Sequence, residues 1–467
     1  MRYSLLRAAA AIVCFGSAFP RRDRSAANSP TAQLLSELIR VNTSNPPGNE
    51  KSLDELLAAK FKPLGFDIKI IPTPDPAKAH FIARLKGSGS AKPILLAAHA
   101  DTVGVERNHW SFDPFGGAIQ DGYIYGRGAL DFKGGLAVFA EAVMRLARNK
   151  VPLKRDVIFL SEADEEGGKY NTTWLAQSHW NEIDCEYALN EGGWIMKNPD
   201  GSVRYVSIST ADKFSFSVLV TARGTSTHSS LPRPDNAIYR LARALVKLST
   251  YQMKPELIPS TREFFLTLAK TSRPPMSTYF YNLVNSHDPA LVAKADKAIS
   301  ENTLLHAIMR NTIAPVFLQA GFRVNVIPGS AAATLNLRLI PGADRDKLIA
   351  ELRDVIGDSD VDITPAPTNT AVATAKPSST DTDLYRALVA AANKLWPHAP
   401  VTAYLFQAGT DAIAWRSRGV PVYGIYPYPI SDDDLSRMHG NNERISIQSL
   451  DGGTEMIYQT LMAVAGK

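Results

Sequence analysis

Cysteine is close to absent: Cys14 and Cys185 are the two in 467 residues. That excludes a disulfide-stapled scaffold and a thiolate zinc finger, both of which need clustered cysteines. Long apolar runs are missing as well. Residues 8–19 are apolar but too few to cross a bilayer, so no stable membrane span is expected there. Neither sign of charge dominates, with 51 Lys and Arg against 46 Asp and Glu, a net charge of +5. No Lys/Arg run alternates with aromatic residues, so no nucleic-acid groove is expected. Repeats and low-complexity tracts are also lacking. Wholesale disorder is excluded, because charged residues are an ordinary 21% and apolar residues reach 45%.

At this length two domains are expected. Residues 1–20 read as an export signal. Arg2 and Arg7 stand near the start, the apolar stretch follows, and Gly16-Ser-Ala18 offers small residues for cleavage. Arg21-Arg22 come after the apolar run, the reverse of a twin-arginine signal, and the residues before Cys14 match a lipid-attachment box poorly. An exported chain, periplasmic or secreted, is expected, with no internal disulfide once Cys14 is removed.

Apolar periodicity then organises the rest. Leu34, Leu35 and Leu38, then Leu53, Leu56, Leu57 and Phe61, repeat at helical spacing and are interrupted by Asn45-Pro-Pro-Gly48. Strands are predicted at 66–71, 81–85, 94–98, 156–161 and 185–190, and a helix at 134–148. That alternation gives a mixed, mostly parallel sheet flanked by helices. From Asp212 the texture changes. Residues 214–220 and 331–339 alternate apolar and polar as half-buried strands do, with helices beginning near Asp235 and Leu348 and a strand at 361–364. The organisation expected is a first domain of 29–212 and 346–467, interrupted by an inserted α+β lid at 213–345. Residues 250–320 have mixed patterning and are left unordered, and 365–382, rich in Pro, Thr, Ala and Ser, reads as a linker. A helix at 384–395 and a strand at 420–426 complete the first domain.

Chemistry-bearing residues follow the apolar runs. His99 and Asp101 come after 93–98, Asp131 after Gly126-Arg-Gly-Ala-Leu, Glu165 and Glu166 after 156–161, and Glu191 after 185–190; His439 lies far downstream. In an open α/β sheet the carboxyl ends of strands share one crevice. Carboxylates and imidazoles gathered there suit two divalent cations bridged by a carboxylate. Asp131 is the natural bridge, with His99 and Glu191 capping one ion and Glu166 and His439 the other. His99 and Asp101, two apart on an extended segment, point the same way, so Asp101 is expected to accept from the imidazole and fix its tautomer. Glu165 is left over, and a spare carboxylate beside two cations suits the general base that takes a proton from the attacking water and passes it to the leaving amine. Taken singly, each piece has an ordinary reading as a surface turn, a solvated loop or a helix-start charge pair. Their joint placement at strand ends is what points to one site.

His99-Ala-Asp-Thr-Val, Gly126-Arg-Gly-Ala-Leu-Asp-Phe-Lys-Gly-Gly135, Glu162-Ala-Asp-Glu-Glu-Gly-Gly168 and Asn190-Glu-Gly-Gly193 resemble the M20 family of co-catalytic metallopeptidases. The resemblance runs from about residue 30 to the C-terminus, and the last motif looks most like the carboxypeptidase S branch. It implies two zinc ions, with Co2+ or Mn2+ as alternatives, on the ligands given above, and Glu165 as base. It further implies that His228, in Gly224-Thr-Ser-Thr-His, is a lid histidine that polarises the scissile carbonyl. Asn325 and Arg338 match a pair holding a substrate carboxylate, to which a guanidinium offers a planar two-donor fork. Gly409-Thr410-Asp411 resembles a substrate loop. Phe132 departs from the pattern, which usually has an acidic residue or Met there. His80, His109, His179, His287, His306 and His398 match nothing and read as structural or surface residues. The activity implied is removal of a C-terminal residue from a peptide, or splitting of an N-acyl amino acid, by a monomer or a homodimer joined through the lid. An aminoacylase or dipeptidase of the same family, and a catalytically silent metal- or peptide-binding protein, are the alternatives.

Overall fold

The computed structural model describes residues 29–367 and 375–467. The expected export signal, Cys14 and part of the 365–382 linker lie outside them. Eight strands form the large sheet in the order Asp67–Pro72, Ala79–Leu85, Val157–Glu162, Ile94–His99, Tyr187–Lys197, Val422–Ile430, Val203–Asp212, Val401–Phe406. The centre is parallel and the first two strands run antiparallel at the edge.

Alternating side chains explain why the central strands are continuously apolar. Leu96 and Ala98 join Phe159 in one buried cluster, while Leu95 and Ala97 join Ile158 and Leu160 in another on the opposite face. Both faces are covered, so no polar alternation survives. Helices Pro30–Arg40, Lys133–Arg148, Asp383–Leu395 and Ile447–Ala465 pack together on the first face. Thr172–Ser178 and Ile413–Arg416, with the buried Trp415, cover the second. Parallel register places His99 opposite Glu162, so the two strands release their following loops side by side.

A second, antiparallel sheet has the order Thr312–Ala320, Ser330–Leu339, Phe214–Arg223, Val361–Pro365. Ala331, Ala333, Leu335, Leu337 and Leu339 face inward with Val218 and Val220, under helices Ala237–Thr250 and Arg345–Ile356. The first of those helices starts near Asp235 as expected and is capped by Asn236, while Asp235 is engaged by Thr225 and Arg233. On the edge strand Val316, Phe317 and Leu318 are 50%, 73% and 70% exposed.

The expected insert boundaries, 213–345, need two corrections. Strand Val361–Pro365 pairs with Phe214–Arg223, so the second sheet extends past 345. Residues 259–309, left unordered by their mixed pattern, form helices Pro259–Thr271, Met276–Asn285, Pro289–Ile299 and Thr303–Met309. These helices belong to the first core: Phe264 meets Tyr205 and Tyr404 edge-on at 5.4 and 5.0 Å, beside the last strand of the large sheet. Aromatic side chains seal that sheet edge instead of joining the second sheet. No helix among the described residues is long and apolar enough to cross a membrane.

Candidate metal centre

His99 ends its strand fully buried, and its neighbours arrive from four directions. Asp131 closes the turn that begins at Gly126, one residue before Phe132, the N-cap of helix Lys133–Arg148. Gly128 sits at φ 87°, left-handed backbone in which a side chain would also run into Thr102 and Lys133. Glu191 differs from expectation: its strand does not stop at 190 but continues to Lys197. Against the neighbouring strand, Asn190 pairs with Gly424 and Gly193 with Ile425, so Glu191 and Gly192 bulge out of the ladder. Gly424 permits this, since a Cβ there would lie 2.2 Å from the Glu191 carbonyl oxygen. Glu166 comes from the turn after Glu162, and His439 from a loop residue at φ 58°.

The five expected ligands meet. His99, Asp131 and Glu191 form one group and Asp131, Glu166 and His439 another, each with donor atoms within 4.8 Å of one another. His99 Nε2 stands 3.1 Å from Asp131 Oδ1 and 3.7 Å from Glu191 Oε2. His439 Nε2 stands 2.9 Å from Asp131 Oδ2 and 3.1 Å from Glu166 Oε1. The two oxygens of Asp131 therefore serve different groups, as a bridge requires. Imidazole nitrogens and carboxylate oxygens without thiolate, three acids to two histidines, fit a pair of divalent cations.

Electrostatics show how tightly these groups are coupled. Burial opposes charge on His99, yet Asp101, Asp131 and Glu191 push its pKa well above the ordinary value. Burial likewise opposes ionisation of Asp131, but hydrogen bonds to His439 and His99 bring it well below the usual range. Those same contacts with Asp131 and Glu166 raise His439 to about 10. Glu165 is raised well above the ordinary carboxylate value by burial first, then by the nearby charge of Glu191.

Asp101 acts differently from expectation. Its main-chain carbonyl, 3.0 Å from His99 Nδ1, is the nearer acceptor, while its carboxylate oxygen lies 3.6 Å away. The carboxylate is occupied by the backbone N–H groups of Glu165 and Glu166, at 3.1 and 3.0 Å, and by the Asn45 amide at 2.7 Å. Asp101 thus orients the histidine through its backbone and the acidic turn through its side chain. Asn45 and Tyr426 carried no sequence signal. Tyr426 donates to Glu191 at 2.8 Å, lies 3.1 Å from Asp131, and is stacked on Trp194. Phe132 packs its ring along His99, with centroids 5.9 Å apart, and fills the space that Gly135 leaves beneath it.

A cavity of about 340 Å³ opens beside Glu165 and is lined by Arg338, Lys213, Asp212, Thr410 and Asp411 among others. The Arg338 guanidinium has no hydrogen bond or ion pair among the described residues, and burial lowers its pKa while Glu165 opposes the shift. Thr410 lines the cavity but donates its hydroxyl to Asp212 at 2.6 Å. Asp411 is buried and raised to about 7, by burial first and, among other groups, by the charge of Glu191. His228 and Asn325 are not brought to this centre. They sit together, exposed, on a small ribbon where Thr227–His228 pairs with Val326–Ile327 and the Ser229 N–H donates to the Asn325 carbonyl at 3.0 Å. The His228 ring bonds Ser230 at 2.8 Å. That pairing holds both residues at the second sheet's tip, away from the ligands. His80, expected to be structural, is buried and held between the Tyr170 carbonyl and the Ala163 N–H.

The sequence profile of "Peptidase family M20/M25/M40" matches residues 95–463. A "Probable carboxypeptidase S-like 2" of Dictyostelium discoideum is 30% identical over 77% of this chain and 69% of that protein. The human "N-fatty-acyl-amino acid synthase/hydrolase PM20D1" is 27% identical over 80% of this chain and 74% of its own. Among solved structures, an M20 family metallo-carboxypeptidase from Sulfolobus solfataricus superposes with a TM-score of 0.66 at 18% identity, covering 93% of this chain and 98% of that one. A Bacillus subtilis dinuclear metal binding peptidase of the M20 family gives 0.56 at 13% identity, over 92% and 96%. With the profile spanning most of its length and two groups that share Asp131, the chain belongs to peptidase family M20/M25/M40, metallohydrolases of peptide and amide bonds.

Proposed function

We propose that the chain is a di-zinc hydrolase that cleaves an amide bond next to a free carboxylate, releasing a C-terminal residue from a peptide or an amino acid from its N-acyl form. The observation that carries this is Arg338, whose guanidinium has no hydrogen-bond or ion-pair partner among the described residues, in the cavity that also holds Glu165. A guanidinium partly removed from water gains most from a carboxylate that meets its fork. A carboxypeptidase S-like protein and an N-fatty-acyl-amino acid hydrolase, both similar to this chain, are named for substrates that carry such a carboxylate.

His99, Asp131 and Glu191 would hold one zinc ion and Asp131, Glu166 and His439 the other. The pair supplies Lewis acidity and a water acidified enough to attack at neutral pH. Everything else falls to the chain. Arg338 fixes the carboxylate end, which sets the amide carbon beside Glu165. Glu165 takes the proton of the attacking water and returns it to the leaving nitrogen, a role that suits a carboxylate whose proton affinity burial has increased. Asp101 holds Glu165 in place through its backbone N–H. His228 and Asn325 reach the substrate only after the ribbon moves, or from the second sheet of another copy of the chain. Residues 1–20 would direct export, and secreted protein beginning beyond Ala18 would support that.

A panel of dipeptides, N-acyl amino acids and their amidated counterparts, assayed before and after chelation, tests the reading. Turnover is expected only with a free carboxylate, and it is expected to vanish with chelator and return with Zn2+. Equal turnover of amidated substrates would sink it.

A further inference from the structure

Outside the ligands, Arg127 and Glu443 form a buried ion pair. It joins segments more than 300 residues apart at 2.6 Å, with both side chains almost wholly removed from solvent. Neither residue touches the cavity. Glu443 accepts from four donors: Arg127 and the Gly128 N–H at 2.6 and 3.2 Å on one oxygen, the Leu130 and Asp131 N–H groups at 2.6 and 3.1 Å on the other. It therefore caps the turn that ends in the bridging aspartate. Arg127 turns its other nitrogen to the carbonyls of His439 and Gly440, at 3.2 and 2.9 Å, and to that of Gly104 at 3.3 Å.

The His439 contact matters because that residue needs help. It is the most exposed of the ligands, its side chain 48% accessible, on a loop and not a strand end. Its backbone has φ 58°, a conformation a non-glycine residue holds only when its surroundings impose it. The remaining ligands of the second group, Asp131 and Glu166, have their backbone N–H groups held by Glu443 and Asp101.

We propose that Arg127 and Glu443 are positioning residues for the metal pair: Glu443 fixes Asp131 for both ions, and Arg127 fixes His439 for the second ion alone. This rests on the two-cation reading above. The two residues therefore have separable effects. Lysine at 127 retains the charge facing Glu443 but is a point donor that cannot span two carbonyls. Glutamine at 443 retains shape but loses acceptor capacity toward the turn.

The test is a Co2+ titration of metal-free protein, followed by visible absorption, with His439→Ala identifying which step belongs to the second group. Outer partners of metal ligands typically contribute about 10–100-fold in affinity. Arg127→Lys is expected to weaken the His439 step by about tenfold or more and leave the other within about threefold. Glu443→Gln is expected to weaken both. If Glu443→Gln does not fold, Arg127→Lys decides alone. Two wild-type steps that Arg127→Lys leaves intact, or lowers alike, would overturn the clamp and spare the two-cation reading. A wild-type protein with a single step would sink both.

Discussion

On the large sheet, His99 and Glu191 are 1% and 5% exposed, and strand register with a single bulge fixes where they point. On the smaller sheet, Arg338 reaches the cavity from a central strand, but His228 and Asn325 lie exposed on a ribbon of two-residue strands. Both regions supply groups that the resemblance assigns to catalysis, yet the first is finished within one folded chain and the second is not. Depth in the fold separates them. A residue embedded between packed layers has its geometry set by many neighbours, while one on a short ribbon is held by a few hydrogen bonds and can be repositioned at small cost.

This contrast can be broken at its strongest point first. Glu165→Ala should lower turnover by about a thousandfold or more, the upper part of the general-base range, while metal content stays at the wild-type level. Near-normal turnover, measured beside elemental analysis, would remove Glu165 as the base. Arg338→Ala should follow, with kcat/KM falling by about a hundredfold for substrates with a free carboxylate and far less for amidated ones, since a charged hydrogen-bonded contact is removed. Equal losses on both would mean that the arginine serves the fold.

A third measurement probes the large sheet through pH. Burial holds His80 at about 4, below its ordinary 6.5, although the Tyr170 carbonyl to which it donates favours the protonated ring; its other nitrogen accepts from the Ala163 N–H. The unfolded chain therefore takes the proton first as pH falls. The stabilisation is complete above about pH 6.5 and is lost as pH drops through 4, a total of about 3 kcal/mol. Denaturant titrations should show this component in the wild type and lack it in His80→Gln. The smallest effect is expected at the ribbon. His228→Ala should cut the rate by about tenfold or more with unchanged zinc content, as loss of one donor to a polarised carbonyl does. Mixing His228→Ala with Glu165→Ala chains separates its two routes: partial recovery means that the histidine acts from another copy, and none means that it closes onto its own site.

The sequence was most readable where apolar runs end in acids or histidines. His99, Asp131 and Glu166 sit where strand ends and turns were expected, because a strand buried on both faces leaves an unbroken apolar signature. Glu191 joins His99 and Asp131 as expected but lies within its strand and not after it, since a bulge has no signal beyond Asn190-Glu-Gly-Gly. Helices 259–309 were opaque because Phe264 and Phe265 serve the edge of a sheet whose nearest strand, Val401–Phe406, is distant in sequence. Tyr426 lies in a strand whose every residue is buried, so its hydroxyl looked like one more apolar-run tyrosine. Glu443 belongs to a polar loop, and only tertiary contact reveals that its charge is internal.

The second group of ligands is completed by His439, the last contributor along the chain. A chain emerging from the ribosome thus carries Glu165 and the first triad long before His439, and a product that terminates before residue 439 lacks the final imidazole. Removal of the C-terminal segment that carries residue 439 would therefore take away the second group while leaving every residue of the first in the chain.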